Sequence, residues 1–452
     1  MKKLKKTAIS LLLFILSSVL AFSSEKWPDG ERIDSWFRKI PAVSAESLGP
    51  VFSLSDAGIK PDGEIHTVEI QALIDSVSLN GGGVIAVPSG TFLSGALDFP
   101  KGTHLRLDEG AVLKGSDFIG DYPLRKTRIE GQTCMYYPAL VNADGNDGFT
   151  VFGKGTLDGS GEKFYRQFWL RRKWNPQCTN KDEQRPRLLY VSNSRDVRVD
   201  GITLKNSPYW TSHFHNCCNL LIIGCSFYSP CHPGEVKGPS TDAIDLDVVR
   251  NVHIKDCHIC VNDDAIALKG GKGPYADAFI QPYPGIGMPA ESVGNGSNEN
   301  VLIEDCEFEF CHGCLTLGSE SVINRNILMR NISITGNALN LLWLKCRPDT
   351  PQTYEYVTVE DVKGKVVNFF HLQRWTQFYD LQGRESVPPS QVRHVSMKRC
   401  EIDCKTFFNA SECDEMYKLS DFFFENLDIT AENREFSHGF ISNFKVRNLK
   451  LQ

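Results

Sequence analysis

The chain has 452 residues, of which 41% are hydrophobic and 23% charged, with a formal net charge of −6. That profile fits a globular protein long enough for one extended domain or two to three ordinary ones. The acidic balance excludes the broad basic footprint of a nucleic-acid binder, although a few local cations suffice to bind an acidic sugar.

Lys2, Lys3, Lys5 and Lys6 precede an apolar run from Ala8 to Phe22, with small residues near Ala21 and Ser23. Residues 1–23 therefore read as a secretory signal. The run is too short to span a bilayer comfortably and no second one follows, and no Cys in it supports a lipoprotein anchor. The mature chain is expected to be exported, periplasmic or secreted, with a net charge of −10 once those lysines are gone.

Ile70, Leu73, Ile74 and Val77 recur at helical spacing, and Gly81-Gly82-Gly83 ends that helix before the strand Val84–Val87. A short helix here predicts a cap, within about residues 30–80, over the end of a solenoid. The solenoid itself is written in an irregular repeat. Segments beginning at Asp196, Asn219, Asn251, Asn300, Asn326, Tyr356, His394, Asp421 and Asn443 each open on a polar or aromatic residue and continue with apolar residues in alternation. Period two marks strands, and intervals of about 22 to 49 residues mark insertions at the turns of a stacked coil. No linker interrupts the pattern, so residues 24–452 are expected to form one domain.

The seventh position of the repeat holds Ile202, Cys225, Cys257, Cys306, Ile332, Val362, Cys400, Leu427 and Leu449. A slot that exchanges Cys for Ile, Val and Leu is an inward apolar stack, in which Cys serves as a small hydrophobe. Four of the 15 cysteines are thereby assigned to the core, and the other eleven, Cys217-Cys218 and Cys311/Cys314 among them, stay open. No CxxC pair has a matching partner, so no metal site is read from spacing.

Chemistry concentrates in two nearly superimposable strings, Ser240-Thr241-Asp242-Ala243-Ile244-Asp245-Leu246 and Asn262-Asp263-Asp264-Ala265-Ile266-Ala267-Leu268. Stacked at sheet spacing of about 4.8 Å, they set Asp242 one rung from Asp264. The next turn, Cys311-His312-Gly313, brings His312 beside Asp263, and a further turn brings Trp343-Leu344-Lys345. Three crowded carboxylates cannot all ionise without cost, and the resulting spread of pKa values supplies both an acid and a base.

These strings resemble glycoside hydrolase family 28, the polygalacturonases and rhamnogalacturonan hydrolases. Its Asn-Thr-Asp, Gly-Asp-Asp and Gly-His-Gly motifs correspond to Ser240-Thr241-Asp242, Asn262-Asp263-Asp264 and Cys311-His312-Gly313. Upstream, Gly81-Gly82-Gly83, Val87-Pro88-Ser89-Gly90-Thr91-Phe92, Gly155-Thr156-Leu157-Asp158-Gly159 and Asn206-Ser207-Pro208-Tyr209-Trp210 extend the likeness over nearly all of the mature chain. The resemblance implies an all-β, right-handed parallel β-helix that cleaves α-linked galacturonic acid with inversion. Asp263 would be the general acid, Asp242 and Asp264 would hold and activate the water, and His312 would tune the acid. An inverting pair is expected to stand about 6.5–9.5 Å apart. No cofactor or metal is implied, and a monomer acting on pectic poly- or oligosaccharide is expected.

Two departures bear on substrate. The family's Arg-Ile-Lys motif reads Trp343-Leu344-Lys345, which keeps a point charge but replaces the bidentate donor with a sugar-stacking face suited to a neutral residue such as rhamnose. The loop from Gly270 to Asn300 and the insertion from Ser229 to Gly238 are long enough to wall one end of a cleft and make the enzyme exo-acting. His213 and His215 share a strand face and, with Tyr209 and Trp210, are candidates for a sugar subsite; Lys269 and Glu320 are candidates for the cleft. The rival readings are a pectate-lyase-like eliminase and a non-catalytic carbohydrate-binding β-helix.

Overall fold

A computed structural model describes residues 26–273, 296–381 and 383–452. The signal segment and most of the loop expected to wall the cleft lie outside the described residues. Twenty-six strands form one continuous sheet, and its paired strands run parallel, as a coil of stacked turns requires. One ladder crosses nine turns through Val141, Leu189, Ser212, Ile244, Ile266, Leu315, Leu342, Phe370 and Phe408.

The repeat read from the sequence is the corner chemistry of this coil. All nine residues that open a repeat have positive φ, between 56° and 61°, and so do the residues five places later, from Gly201 and Gly224 through Asp256, Asp305, Asn331, Asp361, Arg399, Asn426 and Asn448. Asn and Asp tolerate this left-handed conformation because their short polar chains bond locally. Stacking then turns them into a ladder. Asn219 donates to Asp196 at 2.8 Å, Asn251 to Asn219 at 3.0 Å, Asn300 to Asn251 and Asn326 to Asn300 at 3.2 Å. Tyr356 and His394 continue the column as a ring stack 4.5 Å apart.

Inside, one apolar cluster runs from Leu54 to Ile441. Cys225, Cys257, Cys306 and Cys400 are buried in it, and all fifteen cysteines are free thiols. The helix Thr67–Leu79 buries Ile70, Ile74 and Val77 against the first turns, as a cap should. The segment at the start of the described residues packs elsewhere. Trp27, Ile33 and Phe37 pack on Leu302 and Leu328, and Asn326 donates to Asp29 at 2.7 Å. The first described residues are thus a strap along the middle turns rather than part of the lid.

An antiparallel hairpin is formed by Arg125–Ile129 with Gln132–Tyr136. Its two-residue turn, Glu130 at φ 46° and Gly131 at φ 69°, has the both-positive geometry of a type I′ turn. The hairpin lies across the outer face of the parallel sheet, where the site is found.

Candidate active site

Asp242, Asp263 and Asp264 stand at the entry to adjacent parallel strands. Ala243 N–H donates to the Asp264 carbonyl at 2.9 Å, and His312 N–H to the Asp263 carbonyl at 2.8 Å, so sheet register alone brings the turns together. One oxygen from each of the three carboxylates lies within 4.8 Å of the others. Asp242 sits one turn from the consecutive pair Asp263 and Asp264, so the stacking of turns brings the three together. Gly313 is required beneath them: a Cβ there would lie 2.9 Å from Asp264 Oδ1 and 2.0 Å from Thr316 Oγ1.

Exposure separates the three. The Asp263 side chain is 27% exposed, whereas those of Asp242 and Asp264 are 4% and 1% exposed. Burial, then the charge of Asp263, push Asp242 up to about 7. Burial also opposes ionisation of Asp263, but the imidazole of His312, 3.6 Å away, outweighs it and holds Asp263 at about 2. The same contact raises His312 against its own burial. Of Asp242 and Asp263, Asp242 therefore holds a proton the more readily, and the buried Asp245 beside it is raised well above its usual value. Asp264 Oδ1 is buried with no hydrogen-bond partner among the described residues, a place suited to a water molecule.

Both lysines line the cleft and are paired with carboxylates of the cluster. Lys345 Nζ bonds Asp264 Oδ2 at 2.8 Å and lies 3.8 Å from the centre of the Trp343 ring. Lys269 Nζ lies 3.4 Å from Asp242, 3.5 Å from Asp245 and 3.7 Å from Glu320. By distance the three aspartate oxygens also fit a divalent cation, but these ammonium groups already supply the positive charge.

The cleft around the triad has a volume of about 480 Å³ and is lined by Trp210, Lys269, Lys272, His312, Glu320, Trp343 and Lys345 among others. Trp343 is half-buried, stacked on His371 with 8° between the rings and edge-on to Trp375. Tyr209 is wholly buried behind the cleft. His213 does not reach it. It is wholly buried, with Nδ1 2.7 Å from Arg187 Nη1, Nε2 3.3 Å from Asp247, and Trp210 edge-on above it. Burial pushes it down to about 3. His215 instead lines a separate cavity of about 220 Å³ with Arg128, Tyr190 and Asp144.

What covers His213 is the hairpin. Arg128 makes a two-pronged, fully buried pair with Asp247, at 2.7 and 3.0 Å. Arg187 donates to the Arg128 carbonyl and to Thr127 Oγ1, each at 2.7 Å, while Tyr209 donates to Glu130 at 2.6 Å. The turn is seated so closely that a Cβ on Gly131 would meet Glu320, Gly271 and Lys272 at 2.8 to 3.0 Å. The hairpin thus divides the face of the sheet, with the carboxylate cleft on one side and the smaller cavity on the other.

Further lining residues were not singled out by the sequence. Phe168, Trp169 and Arg172 come from the helix Glu162–Trp174, and Trp375, Gln377 and Phe378 from the loop after Arg374. Arg172 sits 4.6 Å from the centre of Phe168 and 6.0 Å from that of Phe378, joining helix and loop. The Phe164, Phe168, Arg172 spacing was the available signal. The insertion from Ser229 to Gly238 does not wall this cleft; Pro230, Gly234, Glu235 and Val236 line a neighbouring bowl of about 1060 Å³.

The sequence profile of the glycosyl hydrolases family 28 matches residues 83–368, which contain every residue of the triad and its lysines. The chain belongs to that family. Its relatives include a polygalacturonase of Cryptomeria japonica, 32% identical over 159 residues that make up 35% of this chain and 29% of that one. The exopolygalacturonase A of Aspergillus niger is 25% identical over 304 residues, 66% of either chain. The matched stretch therefore spans less than two thirds of each of these relatives. In fold, the crystal structure of a hyperthermoactive exopolygalacturonase from Thermotoga maritima superposes with a TM-score of 0.68 over 91% of this chain and 93% of that one, at 20% identity. The family's architecture, a right-handed parallel β-helix, is the one found here.

Proposed function

We propose that this chain is an exo-acting, inverting glycoside hydrolase that removes α-linked galacturonic acid from the ends of pectin or rhamnogalacturonan fragments. The observation that carries the reading is the carboxylate triad in a cleft closed at one end by the hairpin. Family membership supports hydrolysis, and the names of the Aspergillus niger and Thermotoga maritima proteins agree with action at chain ends. Asp263, the exposed member, faces the leaving-group oxygen as general acid, with His312 tuning it. Asp242 and Asp264 clamp the attacking water between neighbouring rungs. The proton resting towards Asp242 must pass to Asp263 when a sugar displaces water from the exposed side, since a drier surrounding favours the neutral carboxyl.

In this reading Lys345 and Lys269 hold the water-binding carboxylates in place, while Arg172 and Lys272 meet the carboxylate of the sugar. Trp343, stacked on His371 and with Lys345 over its ring, offers an exposed ring edge to a neutral leaving-group sugar such as rhamnose. Residues 24–452 act as a single catalytic domain, exported after loss of residues 1–23, as a monomer and without a catalytic metal.

Nearest carboxylate oxygens within 4.8 Å of one another are also compatible with one alternative, retention through a glycosyl-enzyme, whose carboxyl pairs stand about 5–5.5 Å apart. A proton NMR time course on oligogalacturonides and rhamnogalacturonan oligosaccharides separates the two. The expected first product is β-galacturonic acid released from one chain end, lost by about 10²- to 10⁴-fold in Asp263→Asn. An α-anomer as first product would establish retention, and no cleavage of either substrate would overturn the hydrolase reading.

A further inference from the structure

The loop from Ser229 to Gly238 braces the catalytic turns from behind. Ser229 Oγ accepts from Asn262 N–H at 2.8 Å and lies 2.7 Å from Thr241 Oγ1, and the Gly238 carbonyl accepts from Thr241 Oγ1 at 2.8 Å and Asn262 Nδ2 at 3.0 Å. Asn262 and Thr241 directly precede Asp263 and Asp242. How firmly this loop is held therefore bears on the triad, although none of the loop's own side chains lines the cleft.

The same loop carries a cluster that nothing in the catalytic reading uses. Cys231 Sγ lies 3.5 Å from Cys260 Sγ, and His232 Nε2 lies 3.7 Å from Cys260 Sγ. All three atoms are within 4.8 Å of one another. Glu309 Oε1 stands 3.6 Å from the same imidazole nitrogen. Stacking creates the cluster, for Cys260 lies one rung from Tyr228 and pairs on its other side with Phe310, next to Glu309. No spacing motif announces it. Both thiols are buried, while the side chains of His232 and Glu309 are 46% and 42% exposed, so the cluster lies just below the surface with an open side.

We propose that Cys231, His232, Cys260 and Glu309 form a structural zinc site that staples the bracing loop to the coil. In tetrahedral zinc, with Zn–S about 2.3 Å and Zn–N about 2.0–2.1 Å, two sulfurs stand about 3.8 Å apart and a sulfur and a nitrogen about 3.5 Å. The two sulfurs, and Cys260 Sγ with His232 Nε2, already hold those separations to within about 0.3 Å. Two thiolates, a neutral imidazole and a carboxylate are also a donor set zinc accepts. A disulfide is the competing fate, but it requires the sulfurs to close from 3.5 Å to about 2.05 Å. Zinc entry releases the thiol protons to solvent.

The test uses the full chain purified without chelator, loaded with zinc and desalted, with metal content measured by elemental analysis and thiols counted after denaturation. About one zinc per chain is expected, lost in Cys260→Ser and retained more weakly in Glu309→Gln. Cobalt loading is expected to give thiolate-to-cobalt charge-transfer absorption that disappears in the same Cys260→Ser variant. Should that variant fail to fold, His232→Ala, altering an exposed side chain, is expected to lose the metal with the fold intact. A chain that retains no zinc with both thiols free, or that holds a Cys231–Cys260 disulfide, would overturn the proposal. None of these readouts depends on which sugar is cleaved.

Discussion

Arg128→Met tests what holds the end of the cleft shut. The guanidinium is 1% exposed and Asp247 is fully buried, joined by bonds of 2.7 and 3.0 Å. Removing one partner of such a pair strands the other charge, which costs about 3–5 kcal/mol. At about 2.1 cal/mol/K per residue, the unfolding entropy of 452 residues is about 0.9 kcal/mol/K, so the expected fall in Tm is about 3–6 °C. The loss should also carry a pH signature. Burial opposes ionisation of Asp247, but Arg128 and then His213 hold it well below the usual carboxylate range. A depressed carboxylate contributes stability that is full above its unfolded value of about 3.9 and is lost as pH falls below it. The gap between wild type and variant should be complete at pH 6 and narrow progressively below about pH 4. Differential scanning calorimetry across that range measures it, and product sizing on long oligogalacturonides should show internal cleavage appearing as the hairpin loosens. A Tm fall under about 1 °C, or a gap unchanged at pH 3, would refute the view that this pair anchors the wall.

The other expectations are simpler. Lys345→Met should abolish turnover while leaving substrate binding nearly unchanged in isothermal titration, because Lys345 serves Asp264 rather than the sugar; a rise in Kd with kcat preserved would restore the carboxylate-gripping role. Asp242→Asn should stabilise the fold while inactivating it. A carboxyl raised to about 7 adds stability below its unfolded value that is lost as pH rises, so the gain should be absent near pH 4 and reach up to about 4 kcal/mol at pH 8. Urea unfolding at the two pH values decides it. Asn300→Ala removes a left-handed corner and two ladder bonds, to Asn251 and from Asn326, and is expected to cost about 2–3 kcal/mol; a change under about 0.5 kcal/mol would show that the ladder is ornamental.

The strand repeat, its polar corner residues and the inward cysteine slot were legible because they are local and recur. Alternation sets which way a side chain faces, and Asn or Asp at a corner announces a left-handed turn. Recurrence also aligned Asp242 with Asp264, since in a parallel stack register in sequence becomes proximity in space. Other features depended on what lies above the sheet. Alternation assigns His213 to the outer face, which is where it is, but the hairpin Arg125–Tyr136 covers that face, and nothing near His213 in the chain says so. Lys345 was recognisable as a site cation, yet its commitment to Asp264 follows from three-dimensional distance, as does the meeting of Cys231, His232, Cys260 and Glu309. A residue's direction is a property of its own strand, whereas its cover and its ionic partner belong to segments tens to more than a hundred residues away, and only the packed coil brings those together.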